Sequence, residues 1–210
     1  MTMDLTPVEV RVVGSLLEKE VTTPDTYPLT LNALVAACNQ STGRAPVLQL
    51  EHREVEAAVR SLKERGLVRF VHPSHGGRRE KYRHVVPEAL ELGAPERAVL
   101  CTLALRGPQT PGELKGRTDR LHPFGHLEDV QRALEGLAER PEALATRLPR
   151  RLGQKELRWA HLLCGEPQDL EEVDRPVAAP HRSDRVAELE ERVTALEAGV
   201  AELRAELGLP

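Results

Sequence analysis

The chain has 210 residues, and its composition, 40% apolar but only 2% aromatic, is typical of small helical domains with cores of Leu, Val and Ala. Its length allows two small domains and a tail, and no segment approaches the ~20 consecutive apolar residues of a membrane span. The net charge of −4 is uneven: residues 1–93 are neutral with 12 basic and 12 acidic side chains, residues 94–165 carry a net +3, and residues 166–210 a net −7. Because the acidity lies in the last segment, it does not exclude a nucleic-acid partner for the rest.

The first half begins with a helix and ends with two strands. The N-terminus has neither the basic nor the apolar stretch of a secretory signal, so we expect a cytoplasmic protein. Thr6, a following Pro and Glu9 form a capping-box pattern that predicts the start of the first helix. Two more helices and two strands follow in chain order: residues 30–38, 51–65, 67–71 and 80–86. A basic loop that contains glycine separates the two strands.

The second half repeats this order. The pattern of the third helix recurs 75 positions later: Glu54-Val55, Ala58-Val59, Leu62 and Glu64-Arg65 match Asp129-Val130, Ala133-Leu134, Leu137 and Glu139-Arg140. The second strands match as well, residues 81–86 with residues 158–163. Helices followed by a strand, a basic loop and a strand are typical of the winged helix. The sequence therefore predicts a mostly α, α+β fold with small β-hairpin wings, formed by winged-helix domains over residues 1–88 and 94–165.

The first half carries an insertion. The spacing from the Thr-Pro pair to the matching Val of the third helix differs between the halves: it is 31 positions from Pro24 to Val55 and 19 from Pro111 to Val130. This difference predicts about twelve extra residues in the first half and a shorter second helix in the other. An added loop on a duplicated scaffold is a reasonable position for function. Its polar side chains form a candidate partner-binding surface: Asn39, Gln40, Ser41, Thr42 and Arg44. The alternative, equally consistent with these residues, is that the first two cap the second helix and the Arg pairs with a nearby acid.

The C-terminal segment is predicted to be a linker over residues 166–183 and a helix over residues 184–208. Apolar residues in the helix alternate spacings of three and four: Val186, Leu189, Val193, Leu196, Val200, Leu203 and Leu207. Val at a and Leu at d favour a parallel two-stranded coiled coil, and Arg185 would face Glu190 of a second copy. We therefore expect a homodimer. The alternative is an amphipathic helix that packs on its own domains.

Several short segments resemble the signature segments of the bacterial YceH family. They are Leu17-Glu18-Lys19, Thr22-Thr23-Pro24-Asp25, Tyr27-Pro28-Leu29, Ala37-Cys38-Asn39-Gln40, Arg44, Pro46-Val47, Thr110-Pro111-Gly112-Glu113-Leu114 and His161-Leu162. The resemblance runs from about residue 5 to the C-terminal helix and implies a tandem winged-helix fold with a C-terminal helix. It implies no active site, because the family's biochemical role is not established. Ser41 and Gly43 stand where that family usually has Lys and Asn, which weakens the idea of a basic phosphate contact in this loop.

The motifs that identify common enzymes are missing from the sequence. It contains no phosphate-binding P-loop, GxGxxG after a strand, HExxH or GxSxG. His122 and His126 are four residues apart, but the Pro and Gly between them disfavour a helical metal site. Cys38, Cys101 and Cys164 are odd in number and lie in apolar surroundings, which is typical of buried thiols. We therefore expect a binding protein with no enzymatic activity, no cofactor and no metal.

Basic side chains cluster in both predicted wings, where they could reach nucleic-acid phosphates. The candidates are Arg78, Arg79, Lys81, Arg83, Arg147, Arg150, Arg151, Lys155 and Arg158. The third helices are poor readers of bases because their first turns are acidic, with Glu51 and Glu54 in one and Glu128 and Asp129 in the other. We therefore expect a transcription-regulator-like protein that holds duplex DNA by its backbone. The alternative is a protein scaffold in which the winged helices are docking modules.

Overall fold

The computed structural model of the chain describes three ranges: residues 3–71, 80–149 and 156–166. This part is mostly helical with two small antiparallel sheets, which is the α+β class expected from the sequence. The predicted C-terminal helix at 184–208, with its heptad residues, lies outside the described residues, as does all of the predicted linker except Glu166. Among the described helices, none is long and apolar enough to cross a lipid bilayer.

The first half contains three helices and a three-stranded sheet. In chain order its elements are α1 Pro7–Thr22, β1 Leu29–Thr30, α2 Leu31–Cys38, α3 His52–Glu64, β2 Val68–Val71 and β3 Lys81–His84. The predicted capping box of α1 is present: the Thr6 hydroxyl accepts from the Glu9 N–H at 3.2 Å, and the Glu9 carboxylate accepts from the Thr6 N–H at 2.7 Å. Thr30 caps α2 through its side chain alone, which accepts from the Ala33 N–H at 3.4 Å.

The first sheet has the strand order β1-β3-β2, and all neighbours are antiparallel. Strands β2 and β3 lie within the predicted strands. The sequence does not predict β1, because two residues are too short for alternation to be recognised. This strand exists through its pairing with β3, in which Leu29 lies opposite Tyr82.

The second half repeats the architecture after a short connecting helix. Its elements are α4 Val86–Ala89, α5 Ala94–Arg106, α6 Pro111–Thr118, α7 Leu127–Ala138, β4 Ala145–Arg147 and β5 Trp159–His161. Strands β4 and β5 form the second sheet. In the place of β1, Gln109 exchanges two backbone hydrogen bonds with Trp159, at 2.7 and 3.0 Å. Trp159 occupies the position of Tyr82, so the two halves share register as well as element order.

The predicted difference between the second helices is wrong. Helices α2 and α6 both have eight residues. The counterpart of Thr110, the N-cap of α6, is Thr30 and not Thr23, which precedes a separate 3-10 turn. Residues 39–51 separate α2 from α3, and residues 119–126 separate α6 from α7. The insertion between these helices is therefore five residues and not twelve.

The two halves meet through their first helices, α1 and α5, and their apolar side chains form one continuous core. The helices approach closely at Gly14, where a Cβ would lie 2.9 Å from the Leu105 side chain. The Cys101 thiol donates to the Gly14 carbonyl at 3.4 Å. Cys38 and Cys101 are buried and Cys164 is half-buried, all three as free thiols.

Candidate nucleic-acid interface

The first sheet places three cationic side chains on its outward face. Side chains alternate between faces along β2 and β3, so that Arg69 and Lys81 are exposed and Arg83 is partly exposed. In the antiparallel register Arg69 lies directly opposite Arg83, and Lys81 is two residues before Arg83 on the same face. Of the predicted first-wing residues, Lys81 and Arg83 are thus on one surface. Arg78 and Arg79 lie outside the described residues.

The positive charge of this outward face is only partly neutralised. Arg83 Nη2 lies 3.5 Å from Glu88 Oε1, and these side chains are 42% and 64% exposed. An exposed pair at this distance contributes little. Arg69 and Lys81 form no ion pair or side-chain hydrogen bond with other residues that the structure describes. Two cations are therefore available to an anionic partner from solution.

Sequence reasoning missed Arg69, which appears as an isolated base in a strand. The signal that could have found it is the alternation Val68-Arg69-Phe70, which directs the Arg away from its two apolar neighbours. Its position opposite Arg83 follows only from the strand register, which the sequence does not specify.

In the second sheet, the described Arg147 contacts an aromatic ring and an acid and is not left unpaired. The Arg147 guanidinium lies 4.9 Å from the centre of the Trp159 ring and 2.9 Å from Glu135 Oε1 on α7. The backbone carbonyl of Arg158 accepts from Leu148, which extends the hairpin. The remaining predicted contacts of the second wing lie outside the described residues: Arg150, Arg151 and Lys155.

The third helices carry Arg side chains that are paired with acids close by in sequence. On α3, Arg60 lies 2.6 Å from Glu56, and Arg53 lies 2.8 Å from Glu51, the residue that precedes the helix. On α7, Arg132 lies 3.0 Å from Asp129, which also caps the helix by accepting from the His126 N–H. Exposed pairs of this kind leave little net charge for phosphates, as the acidic first turns led us to expect.

The inserted loop is tied to three helices. The Asn39 side chain both donates to and accepts from the backbone of Leu50, each at 2.8 Å, and the Asn39 N–H caps the C-terminus of α2. The Ala45 N–H donates to the Leu105 carbonyl of α5 at 2.9 Å. Ser41 and Thr42 are exposed at the tip, where they remain accessible to a partner.

Arg44 of the same loop is buried, and its side chain has no exposed surface. Its Nη1 and Nη2 donate to the two carboxylate oxygens of Glu18 on α1, at 3.1 and 2.7 Å. Nε donates to the Ala37 carbonyl at 3.1 Å, and the remaining donors reach the Gly43 carbonyl and the Gln40 side chain. Every N–H of the guanidinium therefore has an acceptor within the protein. The contacts are those of the alternative in which Arg44 pairs with a nearby acid.

Two further charged groups stabilise this cluster. Burial would raise the pKa of the Glu18 carboxyl, but hydrogen bonds and charge from Arg44, aided by Lys19, hold its pKa below the usual range. Arg11, which the sequence analysis did not single out, is also buried. It donates to the carbonyls of Cys38 and Pro46 at 3.0 and 2.7 Å. The loop is thus anchored to α1 by two buried guanidinium groups.

Equivalent histidines occur in both sheets, His84 buried and His161 partly buried. His84 Nε2 lies 3.1 Å from Glu20 Oε2, which also pairs with Arg97 of α5 at 3.2 Å. Burial lowers the pKa of His84, although Glu20 opposes the shift. Burial also lowers the pKa of His161 to about 4. Across the described ranges, no group of three or more His, Cys, Asp or Glu side chains is arranged to hold a metal ion.

A shallow groove of about 380 Å³ lies between α7 and the second sheet. Leu127, 37% exposed, and Trp159 contribute apolar surface to it, and Glu135 and Arg147 contribute charge. Together with Val47 on the inserted loop, which is 50% exposed, Leu127 is one of the large apolar side chains left on the described surface.

Comparison with known proteins gives a consistent result. Residues 5–154 match a family model described as "Protein of unknown function, DUF480". A UPF0502 protein of Pelobacter propionicus is 49% identical over 210 residues, covering 97% of this chain and 95% of the relative. UPF0502 proteins of Geobacter sulfurreducens and Koribacter versatilis are 48% and 46% identical, covering 97% and 93% of this chain and 91% and 92% of the relatives.

Proposed function

This chain belongs to the DUF480 family, and we propose that it is a non-enzymatic cytoplasmic protein that binds duplex nucleic acid through the sugar-phosphate backbone. In this proposal residues 1–88 and 94–165 are tandem winged-helix domains. Residues 166–183 link them to a coiled-coil helix at 184–208, which joins two copies into a homodimer.

The repeated element order supports the tandem winged-helix assignment. In each half a helix is followed by a short pairing segment, two further helices and an antiparallel hairpin. The pairing segment meets the hairpin in the same register, Leu29 opposite Tyr82 in one half and Gln109 opposite Trp159 in the other. A helix pair followed by a hairpin is the arrangement that places a third helix and a wing beside a duplex.

The observation that carries the nucleic-acid proposal is the contrast between wing and helix. Arg53, Arg60 and Arg132 on or beside the third helices are paired with neighbouring acids, whereas Arg69 and Lys81 in the first sheet have no such partner within the described ranges. Unpaired cations favour phosphates, and phosphate contacts carry no sequence information. The proposed binding is therefore led by the wings and tolerant of sequence.

This function is tested with a quadruple variant of the full chain in which Arg78, Arg79, Arg150 and Arg151 are replaced by Glu. Titrated against a labelled duplex at 50–100 mM salt, it should lose affinity for unrelated sequences alike, because backbone contacts are removed. The control replaces Arg53 and Arg60 on α3 by Glu and should have the smaller effect. Parent protein that shows no binding at ~10 μM, where non-specific binders normally register, or a quadruple variant that binds like the parent, would contradict the proposal.

The scaffold alternative is favoured by one feature, the partly apolar groove with Leu127 exposed beside α7. Capture of partners from native cytoplasm with and without nuclease treatment separates the two functions. Under the nucleic-acid proposal, nuclease releases what is captured. A defined protein retained after complete nuclease digestion, and lost on Leu127→Glu, would favour the scaffold.

A further inference from the structure

We propose that the outward face of the first sheet, formed by Arg69, Lys81 and Arg83, is a phosphate-binding site for the nucleic-acid backbone that the second sheet lacks. This inference rests on the proposed function and specifies where on the protein the contact is made. It adds Arg69, a strand residue outside the wing loop, to the binding surface.

The arrangement of the two Arg residues is unfavourable for the protein alone. Arg69 and Arg83 are directly opposite in adjacent antiparallel strands, where like charges destabilise the sheet. Lys81 adds a third positive charge about 7 Å along the strand from Arg83, on the same face. A phosphate placed across such a face would interact with several cations at once and remove their mutual repulsion.

The acids around the sheet do not cancel this charge. Glu88 is the acid that contacts the face, through Arg83 at 3.5 Å, so the described groups leave it with two excess positive charges. Burial, and after it the charge of Glu80 and Glu56, raises the pKa of Tyr82, which occupies the opposite face of the sheet.

The second sheet shows that the hairpin does not need the opposed Arg pair, although it keeps a cation, Arg158, at the position of Lys81. The two hairpins can be aligned by their cross-strand pairs, because Val68 opposite His84 matches Ala145 opposite His161. One residue further along, the pair Arg69–Arg83 of the first hairpin is matched by Thr146–Ala160 of the second.

Ala160 is buried, and the nearby Arg147 lies on the other face against Trp159. The same hairpin is thus built with neutral residues at the positions of Arg69 and Arg83. Because packing does not require the opposed Arg pair, an anionic ligand is the better explanation of its presence.

The test uses the full chain and a labelled 24-base-pair duplex, with Arg69→Thr copying the second sheet. Losing one phosphate contact should reduce the slope of log affinity against log salt concentration by about 0.9. At 0.1 M salt this corresponds to about an eightfold loss of affinity. We expect this loss on unrelated sequences, together with an unchanged or higher Tm, because a like-charge contact is removed. Arg69→Lys keeps the charge and should restore most of the affinity.

The matched control is Arg132→Thr, which removes one positive charge from a side chain that is 77% exposed on α7. It should change affinity by less than twofold. Parent protein that binds while Arg69→Thr binds equally well would overturn this site and leave the proposed function standing. An equal loss in both variants would also overturn it, because affinity would then follow net charge. Parent protein without binding would overturn both proposals.

Discussion

Replacing Arg44 by Ala removes all five guanidinium donors from a site that has no access to solvent on the Arg side. The substitution leaves the Glu18 carboxylate and the Ala37 carbonyl without these donors. Removing one partner of a buried ion pair costs ~3–5 kcal/mol. Because the Glu18 side chain is 21% exposed and can recover some hydration, we take the lower end, about 3 kcal/mol. At ~2–4 °C per kcal/mol for a protein of this size, Tm should fall by about 6–12 °C.

The measurement is thermal unfolding at pH 7, with Arg53→Ala as the control. Arg53 is 82% exposed and its partner Glu51 is 62% exposed, so the free energy of unfolding should change by no more than ~0.5 kcal/mol. Duplex binding by Arg44→Ala, measured below its Tm, should match the parent. A Tm within about 2 °C of the parent combined with lost partner binding would refute the reasoning and make the loop a contact surface.

The buried pair of Arg44 and Glu18 also predicts that the protein loses stability in acid. Because the pKa of Glu18 is held below its ordinary value of 4.5, the stabilisation is fully present above that pH and is lost as pH falls through the lower folded-state pKa. Urea unfolding of the parent between pH 6 and 3 should show this loss. Arg44→Ala should show a smaller part of it, and an identical pH profile would contradict the assignment.

Three further predictions concern pH, packing and assembly. Burial lowers the pKa of His161 to about 4, below its ordinary value of ~6.5 in the unfolded chain, so the unfolded chain binds a proton first as the pH falls. The free energy of unfolding should therefore be highest above pH ~6.5 and fall by up to ~3 kcal/mol toward pH ~4. His161→Asn should flatten this dependence in urea unfolding, and an unchanged profile would refute the prediction. Gly14→Ala should destabilise by ~1–3 kcal/mol because its Cβ meets Leu105 at 2.9 Å, whereas Gly116→Ala in α6, with open space around it, should stabilise by up to ~1 kcal/mol; a stabilising Gly14→Ala would contradict the packing. Deleting residues 181–210 should convert a dimer into a folded monomer in sedimentation experiments, and an intact chain that is monomeric at micromolar concentration would exclude the proposed coil.

Local signals in the sequence were sufficient for most helices. The capping residues Thr6 and Thr110 mark helix starts because their hydrogen bonds are made within four residues. The sequence misjudged the insertion because Thr23 and Thr30 both have the character of caps, and only the pairing of β1 with β3 shows which precedes α2.

The candidate site was less predictable because its features depend on distant contacts. Glu18 and Arg44 are 26 positions apart, so the sequence left open whether the Arg was a binding or a structural residue. Arg69 became visible only through its register with Arg83. Periodicity identifies which side of an element is buried, but it does not specify which charges face one another across two elements.

The most direct test of nucleic-acid binding by the wings is the salt dependence of duplex affinity for the intact chain. Three phosphate contacts in each of two copies predict a log–log slope of about −5, and unrelated duplexes should give the same value. A slope near zero with measurable binding, or no binding at ~10 μM and 50–100 mM salt, would contradict a backbone-led interaction.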